Sequence, residues 1–183
     1  MQATQVLMNE HRVIEHMLRV IELAARKIDA DVPVPADALR QMVDFIRTFA
    51  DKCHHAKEEG LLFPAMESKG IPKDGGPIGV MLLEHEEGRS YVREMAEAID
   101  RYEQGNKNAG KVIAQNARSY ANLLSQHIRK EDEILYHMAD MALSTQEQQH
   151  LVEQFEEAEI KAVGEGQHEY YEKLVEDLER ELS

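Results

Sequence analysis

The chain has 183 residues, a formal net charge of −14, 43% hydrophobic residues and a single cysteine, Cys53. Its length suits one domain with a small appendage, and its acidity argues against nucleic acid or an anionic membrane as a partner, since both need a basic face. One cysteine excludes an internal disulfide framework. No apolar run reaches membrane-spanning length and no signal-peptide pattern opens the chain, so a cytoplasmic location is expected.

Abundant helix formers and few prolines point to an all-α protein. The first helix is expected from about Thr4 to Asp29, with an inward stripe of Leu7, His11, Ile14, Leu18, Ile21, Ala25 and Ile28 at steps of three and four. The proline-containing stretch up to Pro35 ends it. The second starts near Ala36 and runs past Leu62, where Pro64 should kink or end it. The third opens at Pro77 and carries Ile78, Leu82, His85, Val92, Met95 and Ile99. The fourth carries Ile113, Ala117, Tyr120, Leu124, His127, Glu131, Ile134 and Met138 and ends near Met141.

Short connections make these four an up-down-up-down four-helix bundle over residues 1–142. A C-terminal helical hairpin is expected over 143–183, opened by a capping box of Ser144 and Glu147 and broken at Gly164-Glu165-Gly166. Its apolar positions, Leu151, Phe155, Leu174, Val175 and Leu178, should pack on the bundle or on another chain.

The informative feature is a set of polar interruptions in these apolar stripes: His11, His54 with Glu58, His85, and His127 with Glu131. Buried histidines and carboxylates are costly unless something pairs with them. In an up-down bundle all six lie at roughly 10–20 Å below the same end, at 1.5 Å rise per residue. A His and a Glu four residues apart share a helix face. Six such donors suit two transition-metal ions, each with two nitrogens, the two carboxylates shared between them and an open position. The mixture of imidazole and carboxylate favours non-haem iron over tetrahedral zinc, with manganese as an alternative.

The second helix offers two registers. His54 is in step with Val43, Ile46, Ala50, Glu58 and Leu61; His55 is in step with Thr48, Asp51, Lys52 and Glu59. The first register is apolar, so His54 and Glu58 are expected to face the core and His55 to stay outside the metal shell. After His127, Glu131 keeps the stripe and Asp132 leaves it. Tyr120 shares the face of His127, where it packs or donates to a bound oxygen species, and Gly88 removes a core-facing side chain one turn after His85. Cys53 reads as a small buried hydrophobe. His16, His137 and His150 read as surface residues, and His168 has no assignment.

These residues resemble the hemerythrin-like superfamily, specifically the bacterial HHE cation-binding proteins. The resemblance rests on Asn9-Glu10-His11, on His54-His55-Ala56-Lys57-Glu58-Glu59-Gly60-Leu61-Leu62-Phe63-Pro64, on Glu84-His85-Glu86-Glu87-Gly88-Arg89, and on His127-Ile128-Arg129-Lys130-Glu131. It implies a bundle holding two iron ions in an oxo- or hydroxo-bridged di-iron centre. Oxygen carriers of that family place two His four residues apart on the third helix, whereas here Arg89 follows His85 at that distance. Four His rather than five would leave both ions open.

The function expected is a di-iron protein that binds or reacts with O2, peroxide or NO. The alternatives are an enzyme of peroxide or nitric oxide detoxification or iron-centre repair, and an iron or oxygen sensor or iron donor. A small diatomic or peroxidic ligand is the partner implied; a redox partner and a homodimer stay open.

Overall fold

The computed structural model describes residues 2–183, all of its regular structure being helical. Helix α1 is Ala3–Asp29. Helix α2 spans residues 36–68 without interruption. Helix α3 is Pro77–Glu103, α4 spans residues 107–142, α5 is Thr145–Val163 and α6 is Gln167–Leu182. Helices α1 to α4 form the bundle. The Asn106 side chain accepts from the Ala109 N–H and starts α4, and the Ser144–Glu147 capping box starts α5. No helix among the described residues is long and apolar enough to cross a membrane.

Two of these helices change character along their length. In α2 the stretches Ile46–His55 and Glu58–Leu62 are π-helical, and in α4 so is Glu131–Leu135. Their backbone bonds reach one residue further back than in an α-helix, so the turns are wider. Every residue beyond such a turn is displaced from the face that α-periodicity assigns to it. Leu62 and Leu135 are therefore fully buried where the stripes pointed to Leu61 and Ile134, and Ile134 stands 55% exposed. Pro64 neither ends α2 nor stops it short of Ser68. The wide turn before it relieves the clash of its ring with the carbonyl one turn back.

The buried apolar residues fall into two clusters. One contains Ile14 to Ala25 of α1, Leu39 to Ala50, Val92 to Ile99 and Ile113 to Ile128. The other contains Leu7, Leu62, Phe63, Met66, Ile78, Met81, Leu135 and Tyr136. In α1, α2 and α3 the candidate site residues lie in sequence between the two, and in α4 Glu131 does so with His127 one residue ahead of Ile128, so a polar layer divides the core.

The C-terminal segment packs on the bundle, one of the two places expected for its apolar positions. Leu151 and Phe155 of α5 join the second cluster, and Tyr171, Leu174, Val175 and Leu178 of α6 join the first. Positive φ at Gly164 (91°) and Gly166 (76°) makes the break between them, a conformation glycine adopts without strain. Phe155 is 1% exposed. Phe155→Ala should cost about 3–5 kcal/mol in urea unfolding, as for a core aromatic; a loss below about 1 kcal/mol would make α5 an outer layer that the bundle does not need.

Candidate metal centre

His11, His54, Glu58, His85, His127 and Glu131 are all brought together, each at most 1% exposed. His55 joins them at 5% exposure, which corrects the outward register read from the α-helical pattern. Successive residues of an α-helix diverge by about 100°. The π-helical turn ending at His55 narrows that angle, and both neighbours turn inward. His55 stacks on His85 with ring centroids 3.8 Å apart. The bundle thus holds five histidines, the fifth from α2 rather than α3.

Two overlapping sets of donor atoms result. His11, His54, Glu58 and Glu131 form one, and His55, Glu58, His85 and His127 form the other, all atoms of a set lying within 4.8 Å of one another. The carboxylates span both. Glu131 lies 3.2 Å from His11 Nε2 through one oxygen and 3.2 Å from His127 Nε2 through the other. Glu58 Oε2 lies 3.7 Å from His54 Nε2 and 3.5 Å from His85 Nε2. The Tyr136 hydroxyl donates to Glu58 Oε1 at 2.5 Å and stands 3.3 Å from His11 Nε2. The stripe reading missed Tyr136 because the π-helical turn just before it moves it inward; only its aromatic character hinted at burial.

Each imidazole is held from behind. The Nδ1 of His11 donates to Asp132 at 2.6 Å, that of His54 to Glu10 at 2.8 Å, and that of His55 to Asp51 at 3.3 Å. His85 Nδ1 donates to Glu59 at 2.7 Å and His127 Nδ1 to Glu84 at 2.8 Å. A carboxylate can only accept, so these contacts place a proton on each Nδ1 and turn each Nε2 inward toward the layer. Asp132 therefore orients His11 instead of replacing Glu131. Behind the carboxylates stand cations: Arg12 on Asp132, Lys57 on Glu10, Arg89 on Asp51 and Glu59, and Lys130 on Glu84.

The protonation of the layer follows from this. Burial pulls His54, His55 and His85 down to about 4, so they are neutral at pH 7. Burial also opposes charge on His127, but Glu131 and Glu84 outweigh it and raise this histidine to about 9. His11 is likewise raised, against burial, by Asp132 and Glu131. Burial and then the charge of Glu131 push the Glu58 carboxyl well above the usual range. Glu131 is held well below it, despite burial, by His127 and His11.

The remaining sequence candidates lie apart. Cys53 is buried, and burial with the nearby Glu159 pushes its thiol up to about 12. His137 and His150 are exposed, while His16 meets Glu179 at 2.9 Å. His168 sits edge-on to Phe49 and beside Glu172, and a nitrogen of its ring also lies within 4.8 Å of carboxylate oxygens of Glu10 and Glu159.

One buried ion pair ties the layer to α5. Lys57, 2% exposed, donates to Glu10 at 2.5 Å and to Glu159 at 2.5 Å. Lys57→Ala leaves Glu10 buried and uncompensated behind His54, so urea unfolding should show a loss of about 3–5 kcal/mol. A change within about 1 kcal/mol would class the pair with exposed ones.

Comparison with known proteins agrees with this geometry. The model of the Hemerythrin HHE cation binding domain matches residues 2–139. Uncharacterized proteins of Mycobacterium bovis and Mycobacterium tuberculosis are 27% identical to the chain over 180 residues, covering 98% of it and 70% of their own length. No solved structure matches. The bundle, the inward histidines with their two glutamates and this match together place the chain in the hemerythrin HHE cation-binding family.

Proposed function

We propose that the polar layer binds two iron ions and that the protein uses them to bind or react with dioxygen, peroxide or nitric oxide in the cytoplasm. The observation that supports this reading is a set of buried polar atoms without any hydrogen-bond partner: His54 Nε2, Glu58 Oε2 and both carboxylate oxygens of Glu131. Leaving a buried donor or acceptor unpaired costs about 1–3 kcal/mol, more when charged. Four such atoms converging on one another need a ligand, and the donor chemistry is that of a metal ion.

His55, His85 and His127 would hold one ion and His11 and His54 the other, with Glu58 and Glu131 within reach of both. The first ion would then have five protein donors and the second four, so an exchangeable position would fall on the His11 and His54 side. That differs from the symmetric pair of open ions expected for four histidines. Iron bound there supplies redox chemistry and a place for a small ligand. The chain supplies the rest: carboxylates that fix each imidazole, a Tyr136 hydroxyl that holds Glu58, and apolar clusters on both sides that exclude water. More donors than a tetrahedral zinc site uses, with carboxylates among them, favour iron.

Metal analysis after iron-supplemented expression should find two irons per chain; one tightly held zinc and no iron would overturn the proposal. Reduced protein exposed separately to oxygen, peroxide and nitric oxide should change its visible spectrum, and indifference to all three would refute the ligand class.

His55→Ala should lose iron as His54→Ala does, with helicity retained by circular dichroism. An unchanged iron content and spectrum would remove His55 from the ligand set.

A further inference from the structure

One cavity opens onto the site histidines from the surface. It encloses about 160 Å³ between α2, α3 and α4, with His55 and His85 in its wall. At about 30 Å³ per water molecule, that is room for about five waters, or for a ligand of a few heavy atoms.

The chemistry of its lining is unusual for so acidic a chain. Arg47, Arg89 and Arg93 line it against a single carboxylate, Asp51. Arg89 is committed to Asp51, Glu59 and Glu86. Arg47 and Arg93 have no carboxylate within ion-pairing distance among the described residues. Asp51 accepts from Arg89 and from His55. Arg47 and Arg93 therefore stand at the cavity mouth without an ion-pair partner among the described residues.

Deeper in, Tyr120 contributes to the wall, 2% exposed, and its hydroxyl has no hydrogen-bond partner. Burial, and after it the charge of Asp51, raises the pKa of this phenol, so it stays a donor. Gly88 faces the Tyr120 ring, and a Cβ there would come within 3.4 Å of Tyr120 and Leu124. Glycine in a helix interior is less stable than alanine, and here it keeps the cavity from narrowing.

We propose that this cavity is a binding site for a small monoanion of formate or nitrite size. The Tyr120 hydroxyl donates to the anion, Arg47 and Arg93 draw it in, and Gly88 leaves it room. Its proposed contacts, Tyr120, Arg47, Arg93 and Gly88, lie outside the metal-ligand set, while His55 and His85 of that set form part of its wall. An anion seated there lies against His55 and His85, which brings the small solutes of the surroundings next to the metal layer without displacing a ligand.

The test is equilibrium dialysis of the metal-loaded protein with radiolabelled formate, using formamide as the neutral competitor of similar shape. Formate should bind saturably at one site per chain, weaken with rising ionic strength, and resist competition by formamide. Tyr120→Phe, which removes only the unpartnered oxygen, should weaken binding about tenfold, the effect of one lost hydrogen bond to a charged group. The Arg47→Gln, Arg93→Gln double variant should also weaken it and flatten the salt dependence. Metal content measured on the same preparations separates loss of the anion from loss of the ions. Binding that Tyr120→Phe leaves unchanged, equal binding of formamide, or no saturable binding would overturn the proposal.

Discussion

The dominant constraint on this bundle is the desolvation of seven titratable side chains in one layer of its core. Five imidazoles and two carboxylates are hidden from water between two apolar clusters. Uncompensated, such a layer would outweigh much of the stability of a domain this size. The structure answers in shells. Inward, Nε2 atoms and the oxygens of Glu58 and Glu131 face one another. Outward, every Nδ1 meets a carboxylate, and most of those carboxylates meet a cation at or near the surface. Hydrogen-bond acceptors and donors alternate from the centre to solvent, so each buried group is held by the next. The arrangement orients the donors as well as stabilising them, because a carboxylate at Nδ1 fixes both the tautomer and the plane of the ring.

Regular α-helices alone would not build that layer. Three π-helical turns occur in the bundle, and they coincide with His54 and His55, with Glu58, and with Glu131. An inserted turn residue costs backbone hydrogen bonding, so it persists where packing or function over-determines it. Here it lets adjacent residues of α2 share one face. It also rotates the residues that follow, so that Leu62, Leu135 and Tyr136 face inward.

This explains what was legible in the amino-acid order and what was not. The stripe of α1 holds from Leu7 through Ala25 because α1 is a regular helix throughout, and His11 falls on it. His85 and His127 also turn inward as read, because the turns around His85 and those before His127 are regular α-helix. The departures begin at the wide turns: α-periodicity keeps His55 out of the metal shell, puts Leu61 and Ile134 on the inward stripe and gives no inward place to Tyr136. A period of 3.6 is a property of the α-helix, and no composition signal marks where a helix widens. Glu10, Glu59 and Glu84 were visible as neighbours of ligands, but an acidic residue beside a histidine on a helix surface is ordinary; only the fold shows that each one reaches the histidine of a different helix.

The C-terminal helices draw the same logic outward. Glu10 orients His54, yet Glu10 is itself 3% exposed and needs a cation, which Lys57 provides. Lys57 is buried too, and burial opposes its charge more than any other influence on it. Glu10 accepts from both Lys57 and His54, and Lys57 donates to a further carboxylate as well. The second carboxylate on Lys57 is Glu159, which no element of the four-helix bundle supplies; it comes from α5. The same helix buries Phe155 in the apolar cluster that also holds Phe63 and Tyr136. The segment beyond the bundle thus closes the outermost shell around His54, and the metal layer and the C-terminal extension are parts of one electrostatic structure rather than a site and an appendage.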